Sequence, residues 1–265
     1  MIKLAFVYNV DDFYWRDGLW AAIEKIRKTK GWEVYKINLR NQVFVESDYD
    51  FVLVWGAFGS AHEKLVKSLP YKKGICVAGG PFDPVDGKLF DKIFVETPWY
   101  AENWQKLGFD TTIAFGTNTD LFRPIPEQAK IFDYLLPAAF ASWKRYELFC
   151  RYPGNKLAVG QIQENGVDKW CWENCLKNGV MVLPLVTPEV LVWLYNASRC
   201  VGITADINGG GERAVLEGLA CGLDVRVEPD NEKLVRLLAD QKKHLLTHKD
   251  YAKSLMKGIK ECLSQ

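Results

Sequence analysis

The sequence predicts an α/β protein of two domains, each a mostly parallel sheet with helices on both faces. Three observations carry this. Strand-like apolar runs alternate with helical periodicity, the alternation breaks once at a proline-rich stretch, and it then starts again. In the first half, strands are predicted at 3–8, 32–39, 51–55, 74–78, 92–95 and 112–115. Residues 51–55 are near-continuously apolar, as suits a strand buried on both faces. Helices are predicted at 11–28, where Leu19, Ile23 and Ile26 share one side, at 61–68 and at 99–107. Pro124 and Pro126 interrupt the pattern and mark 122–127 as the interdomain linker. In the second half, strands are expected at 134–137, 157–159, 180–183, 200–203 and 224–227, and helices at 188–196, 212–220 and 231–238. The expected domains are therefore 1–122 and 128–247, with a last helix inside 248–265 that packs back on the first domain.

Composition narrows the function classes. A chain of 265 residues, 48% hydrophobic and 25% charged, has room for two small packed domains and reads as globular. The net charge of +1, with acids and bases mixed along the chain, gives no electrostatic footprint for nucleic acid. No apolar run is long enough to span a bilayer, and the opening residues read as a strand rather than a signal peptide. The seven cysteines form no tight framework, which fits a reducing, cytoplasmic setting. Cys171 and Cys175 stand one helical turn apart, but no Cys or His pair at companion spacing makes a metal site of them.

The most informative stretch is Asn208-Gly-Gly-Gly-Glu-Arg-Ala-Val-Leu-Glu-Gly-Leu-Ala-Cys-Gly222. It is a glycine-rich turn opening into a helix. Gly209, Gly210 and Gly211 allow a ligand close to the backbone, and the first helical N–H groups have no partner within the helix. Such a helix start suits a phosphate. Glu217 follows on the same helix, where it can accept hydrogen bonds from a ribose. The same glycines also suit a plain tight turn.

Three segments, in order, resemble glycosyltransferases of the GT-B fold, family 4 in particular. Leu216-Glu-Gly-Leu-Ala-Cys-Gly222 is similar to the donor-site helix of that family. Phe115-Gly-Thr-Asn-Thr-Asp-Leu-Phe-Arg-Pro124 is similar to its interdomain signature, and 94–108 to the strand and helix before it. The resemblance implies two Rossmann-like domains facing a cleft, and a donor that is a nucleotide-diphosphate sugar, UDP- or GDP-linked first. It implies a retaining transfer without a bound metal or cofactor. It also implies a phosphate-binding lysine after the first strand of the second domain. Lys144 fits that lysine, with Arg145 beside it; both also suit a solvated helix start. Gly116, Thr117 and Asn118 fall at the cleft by the same analogy.

The chain departs from the family pattern at three places. Ala138 stands where an arginine is usual, Gly209 where the first of two glutamates is usual, and Asn118 where an aspartate is usual. Asp206 and Glu212 are the candidate substitute acids, yet Glu212 lies five residues before Glu217, about 140° round a helix. A carboxylate in the first helical turn also favours the dipole. The dipole contributes about 0.3–1 kcal/mol when exposed and up to ~2 when partly buried. One decade of rate needs about 1.4 kcal/mol, so a cation such as Lys144 should assist.

The acceptor side carries less signal. Asp11, Asp12, Phe13, Tyr14, Trp15, Arg16 and Asp17 follow the first strand and are expected at the cleft, where aromatic faces suit sugar stacking or helix packing. Asp83, after the fourth strand, is a candidate acid or base. Lys144, Asp83 and Glu212 are thus the catalytic candidates. Asn208 to Glu212, Glu217, Lys144, Arg145 and Gly116 to Asn118 are the donor-binding candidates. The acceptor stays open among glycan, lipid, protein and nucleobase. A non-catalytic nucleotide-sugar binder, or an epimerase or hydrolase of the same fold, is the alternative.

Overall fold

The computed structural model describes residues 1–9, 17–55, 65–77, 87–162 and 166–265. The chain divides into two compact units, one of Met1–Gly116 with Thr247–Gln265 and one of Thr117–Leu246.

In the first unit the described strands are β1 (Ile2–Tyr8), β2 (Trp32–Asn38), β3 (Phe51–Trp55), β4 (Lys72–Val77), β5 (Lys92–Val95) and β6 (Thr111–Ile113). They form one parallel sheet in the order β2-β1-β3-β4-β5-β6, with Leu4 opposite Phe51 and Ile2 opposite Trp32. Leu4, Phe6, Phe51 and Leu53 are fully buried, as expected of central parallel strands. Helix α1 (Gly18–Arg27) starts later than its periodicity suggests because Asp17 caps it, accepting from the Trp20 N–H at 3.0 Å. Helix α2 (Pro98–Gln105) begins with proline at its first position and is capped by Thr97. Of the helix expected at 61–68, residues 65–68 are described, and they are helical.

The second unit holds β7 (Phe132–Pro137), α3 (Tyr146–Cys150), β8 (Lys156–Val159), α4 (Gly166–Lys177), β9 (Met181–Leu183) and α5 (Pro188–Asn196). It continues with β10 (Ser198–Ile203), α6 (Glu212–Ala220), β11 (Asp224–Val227) and α7 (Glu232–Lys243). Its parallel sheet runs β11-β10-β7-β8-β9, the doubly wound order. Two helices lack a sequence signal. Helix α3 has five residues, too few for periodicity. Helix α4 buries Cys171 and Cys175 while Trp170 and Leu176 are 51% and 53% exposed, the reverse of an ordinary amphipathic stripe.

The proline-rich stretch belongs to the second unit. Phe122 is buried edge-on against Tyr195. Asn196 accepts from the Ile125 N–H at 2.7 Å and donates to the Arg123 carbonyl at 3.0 Å.

The C-terminal helix (His248–Leu263) starts at a capping box of Thr247 and Asp250. It buries Tyr251, Leu255, Ile259 and Cys262 in the first unit, packed on α1 and on the β4–β6 side of the sheet. Gly258 permits the close approach, since a Cβ there would lie 2.6 Å from the Phe94 ring.

Candidate functional site

Strands β7 and β10 are sheet neighbours although two strands separate them in the chain. Their connections leave in opposite directions, which opens a crevice at the carboxyl ends of the strands, where ligands of open α/β sheets sit. The loop after β7 carries Lys144 and Arg145, and the loop after β10 is the glycine turn.

The two loops are tied together by side chains that donate to main-chain carbonyls. Lys144 Nζ donates to the Gly210 carbonyl at 2.7 Å. Thr204 Oγ1 donates to the Lys144 carbonyl at 2.6 Å, and the Asp206 N–H to the Trp143 carbonyl at 3.0 Å. Asn231, the cap of α7, reaches the carbonyls of Ala205 and Asp206 at 2.9 and 2.8 Å. Asp206 closes an Asx turn by accepting from the N–H groups of Asn208 and Gly209 at 2.9 and 2.8 Å. Buried polar backbone must be satisfied, and here side chains supply the partners.

Arg145 is turned inward. Its guanidinium donates to the carbonyls of Thr204 and Ala205 at 2.6 and 3.1 Å and makes a two-armed pair with Asp230, one arm at 2.8 Å. That hydrogen bond holds the Asp230 carboxyl below the usual carboxylate range. Arg145 itself adopts the left-handed conformation, φ +48°, at the junction into α3. Within this network it braces the loop instead of reaching out to a phosphate.

Glu212 opens α6, and its oxygens are engaged within the protein. One lies 2.6 Å from Lys233 Nζ and the other accepts from the Gly211 N–H at 2.8 Å. The Lys233 side chain is 0% exposed and that of Glu212 3%, and Lys233 also donates to the Gly209 carbonyl at 2.8 Å. The catalytic role expected of Glu212 meets a buried ion pair. Gly211 precedes the helix at φ +156°, where a Cβ would lie 2.8 Å from Ile203 Cγ2. The glycine is required there by close packing.

Glu217, on the same helix, accepts from the Tyr195 hydroxyl at 2.8 Å. Burial, then the Glu217 charge and this bond, raise the Tyr195 phenol well above its ordinary range. Asn208 is exposed at the tip of the turn, and the half-exposed indole of Trp143 borders Gly209.

Asn118 accepts from the Asp120 N–H at 3.3 Å through its side chain and from the Leu121 and Phe122 N–H groups through its carbonyl. Asparagine in place of aspartate keeps that turn-forming oxygen. Thr117 is buried, and its N–H donates to the Leu246 carbonyl at 3.1 Å. Gly116 closes the first unit, where a Cβ would lie 2.1 Å from the Thr247 carbonyl oxygen. Asp83, Asp11, Asp12, Phe13, Tyr14, Trp15 and Arg16 lie outside the described residues, while Asp17 is the α1 cap.

The structure thus gathers Lys144, Arg145 and Asn208 to Glu212 around one switch point, while Glu217 lies further along α6 against Tyr195. Lys233 and Asn231 complete it and were missed in the sequence, as was Tyr195 beside Glu217, while Asp206, weighed as a substitute acid, closes the turn. Only Asn231, a capping residue before a helical run, carried a readable signal. Among the described residues no group of three or more metal-ligating side chains occurs, and no helix is long and apolar enough to cross a membrane.

No protein-family model and no curated protein matches the sequence. Solved structures do match in fold. AviGT4, a glycosyltransferase involved in avilamycin A biosynthesis, aligns with a TM-score of 0.61 at 14% identity, over 100% of this chain and 98% of that one. HepE of Anabaena, solved in complex with UDP-glucose, gives 0.62 at 11% identity over 100% and 98%. The UDP-GlcNAc 2-epimerase of Methanocaldococcus jannaschii gives 0.53 at 11% identity over 97% and 99%. The fold is therefore the GT-B fold with its two Rossmann-like domains, as the sequence resemblance implied.

Proposed function

We propose that the chain is a glycosyltransferase that moves a sugar from a nucleotide-diphosphate sugar to an acceptor, with retention and without a metal ion. What carries this reading is one juxtaposition: at the β7/β10 switch point, Lys144 Nζ stands 2.7 Å from the Gly210 carbonyl at the mouth of α6. In this reading the diphosphate lies at the start of α6, facing Lys144. Negative charge grows on the leaving phosphate as the glycosidic bond breaks, and fixed positive groups aimed at it lower the barrier. Glu217, held by Tyr195, takes the ribose hydroxyls. No protein nucleophile is needed when the leaving phosphate itself assists the acceptor. UDP-glucose, the molecule in the HepE crystal, makes a UDP-sugar the first donor to test. The odd number of cysteines, none joined in a disulfide, supports a cytoplasmic setting.

A second reading, donor binding without transfer, is favoured by Ala138 at the usual arginine position and by the sequestered Glu212. Calorimetric titration against UDP-, GDP-, ADP- and TDP-sugars with EDTA present tests the donor site. Selective binding of one supports the assignment, and binding of none overturns it. Incubating the bound donor with candidate acceptors then separates the readings. Transfer supports the first, release of free sugar or epimer without acceptor supports a hydrolase or epimerase, and an unchanged donor supports the second.

A further inference from the structure

The loop after β7 presents one large side chain that the donor assignment leaves unused, the indole of Trp143. A single exposed aromatic is ordinary on a protein surface. This one is 47% exposed and stands at the switch point, on a main chain pinned from the β10 side. The Trp143 carbonyl accepts from the Asp206 N–H at 3.0 Å, and the next carbonyl, that of Lys144, accepts from Thr204 Oγ1 at 2.6 Å. The indole lies against the glycine turn: a Cβ at Gly209 would stand 3.3 Å from Trp143 Cδ1 and 3.0 Å from the Trp143 carbonyl oxygen.

We propose, resting on the donor reading above, that the Trp143 indole is the surface on which the transferred sugar of the donor stacks. In that reading the diphosphate lies at the start of α6 and Glu217 takes the ribose. Glu217 follows Glu212 by five residues, about 7.5 Å along the helix axis. The diphosphate links the ribose to the sugar, so the sugar continues past the helix start on the side away from Glu217. That side is the turn of Gly209 and Gly210, where the indole stands.

The charged side chains around the turn are committed to the protein itself. Asp206 accepts from the N–H groups of Asn208 and Gly209, Glu212 holds Lys233 and the Gly211 N–H, and Lys233 donates to the Gly209 carbonyl. Gly209 and Gly210 carry no side chain, and a Cβ at 209 would also meet Ala205 Cβ at 3.0 Å, so the turn stays bare beside the indole. An aromatic face carries the negative side of its quadrupole and attracts C–H groups. A pyranose with equatorial hydroxyls turns axial C–H groups toward either side of its ring. The substrate class is therefore a sugar nucleotide whose pyranose is held by a C–H face of the ring more than by its hydroxyl pattern.

The test is calorimetric titration of the full chain with UDP and UDP-glucose, with the GDP, ADP and TDP pairs in parallel, joined to saturation-transfer NMR of the bound sugar nucleotide. Trp143→Ala should lower affinity for the sugar nucleotide about tenfold and leave that for the parent diphosphate unchanged. Trp143→Phe should restore most of the loss. Trp143→Leu, which keeps apolar bulk against Gly209 without an aromatic face, should not. In the wild type the sugar ring protons should receive strong saturation transfer, and in Trp143→Ala they should lose it. Equal losses for diphosphate and sugar nucleotide would mean that the indole only props up the turn, and would overturn the proposal. Full rescue by Trp143→Leu, or unchanged sugar-nucleotide affinity in Trp143→Ala, would overturn it as well while leaving the donor reading intact. Binding of no nucleotide by the wild type would overturn both.

Discussion

The Tyr195 hydroxyl donates to Glu217 at 2.8 Å, and both residues are buried. One carboxylate oxygen of Glu217 is thereby tied to α5, and under the proposed ribose contact this tie would set how the carboxylate meets the sugar. Removing the hydroxyl keeps the ring, its edge contact with Phe122 and the charge of Glu217, and takes away this one tie on the carboxylate. Tyr195→Phe should weaken nucleotide-sugar binding about tenfold, ~1.4 kcal/mol. Glu217→Ala should abolish binding while circular dichroism reports a folded chain. Unchanged donor affinity in Glu217→Ala would sink the ribose assignment.

Lys233 and Glu212 pose a question of stability. Breaking a buried pair leaves one uncompensated charge and costs about 3–5 kcal/mol. Lys233→Met should therefore lower stability by that order in a urea titration. The double variant Lys233→Met/Glu212→Leu should recover part of the loss, because no lone charge remains. A single variant within about 1 kcal/mol of wild type would mean that Glu212 finds another partner or takes up a proton.

What was legible in the sequence follows from what is periodic or local. Central strands such as 51–55 announce themselves because both faces are buried, and the turn 208–211 because its glycines meet a helix start. Helix α4 was silent because cysteines fill its inward face and Trp170 faces out. The bracing of the glycine turn was hidden for another reason. Lys233 reaches it from α7, as Tyr195 reaches Glu217 from α5, and only folding brings those helices beside α6. Arg145 illustrates the limit of adjacency: a basic residue next to Lys144 points the other way, into Thr204, Ala205 and Asp230.

The Arg145–Asp230 pair carries a pH signature. Arg145 depresses the Asp230 carboxyl in the folded state. Such a group stabilises the fold above its unfolded value, about 3.9, and the contribution fades as pH falls through the folded value. Asp230→Asn should lower the thermal midpoint slightly at pH 7, with the gap to wild type closing as pH falls below the unfolded carboxylate value and through the depressed folded one. The gap should also shrink in high salt, since Asp230 is solvent-exposed. A gap that persists in acid would show that the carboxylate charge is not what matters.

Lys144 offers the sharpest test of where the diphosphate lies. Its ammonium belongs to the turn at the start of α6, and Glu217 sits further along the same helix, so the phosphate and ribose contacts proposed for them would be separable. Lys144→Met keeps most of the aliphatic stem and removes the charge. If the cation faces the diphosphate, affinity for a nucleoside diphosphate should fall about ten- to a hundredfold, since a hydrogen bond to a charged group contributes about 1.5–3 kcal/mol. Affinity for the matching nucleoside should not change. Glu217→Gln should show the converse, weakening nucleoside and diphosphate alike. Equal losses for both ligands in Lys144→Met would instead mean that the lysine only props up the glycine turn through the Gly210 carbonyl. In that case the positive end of α6 is left as the principal partner of the leaving group.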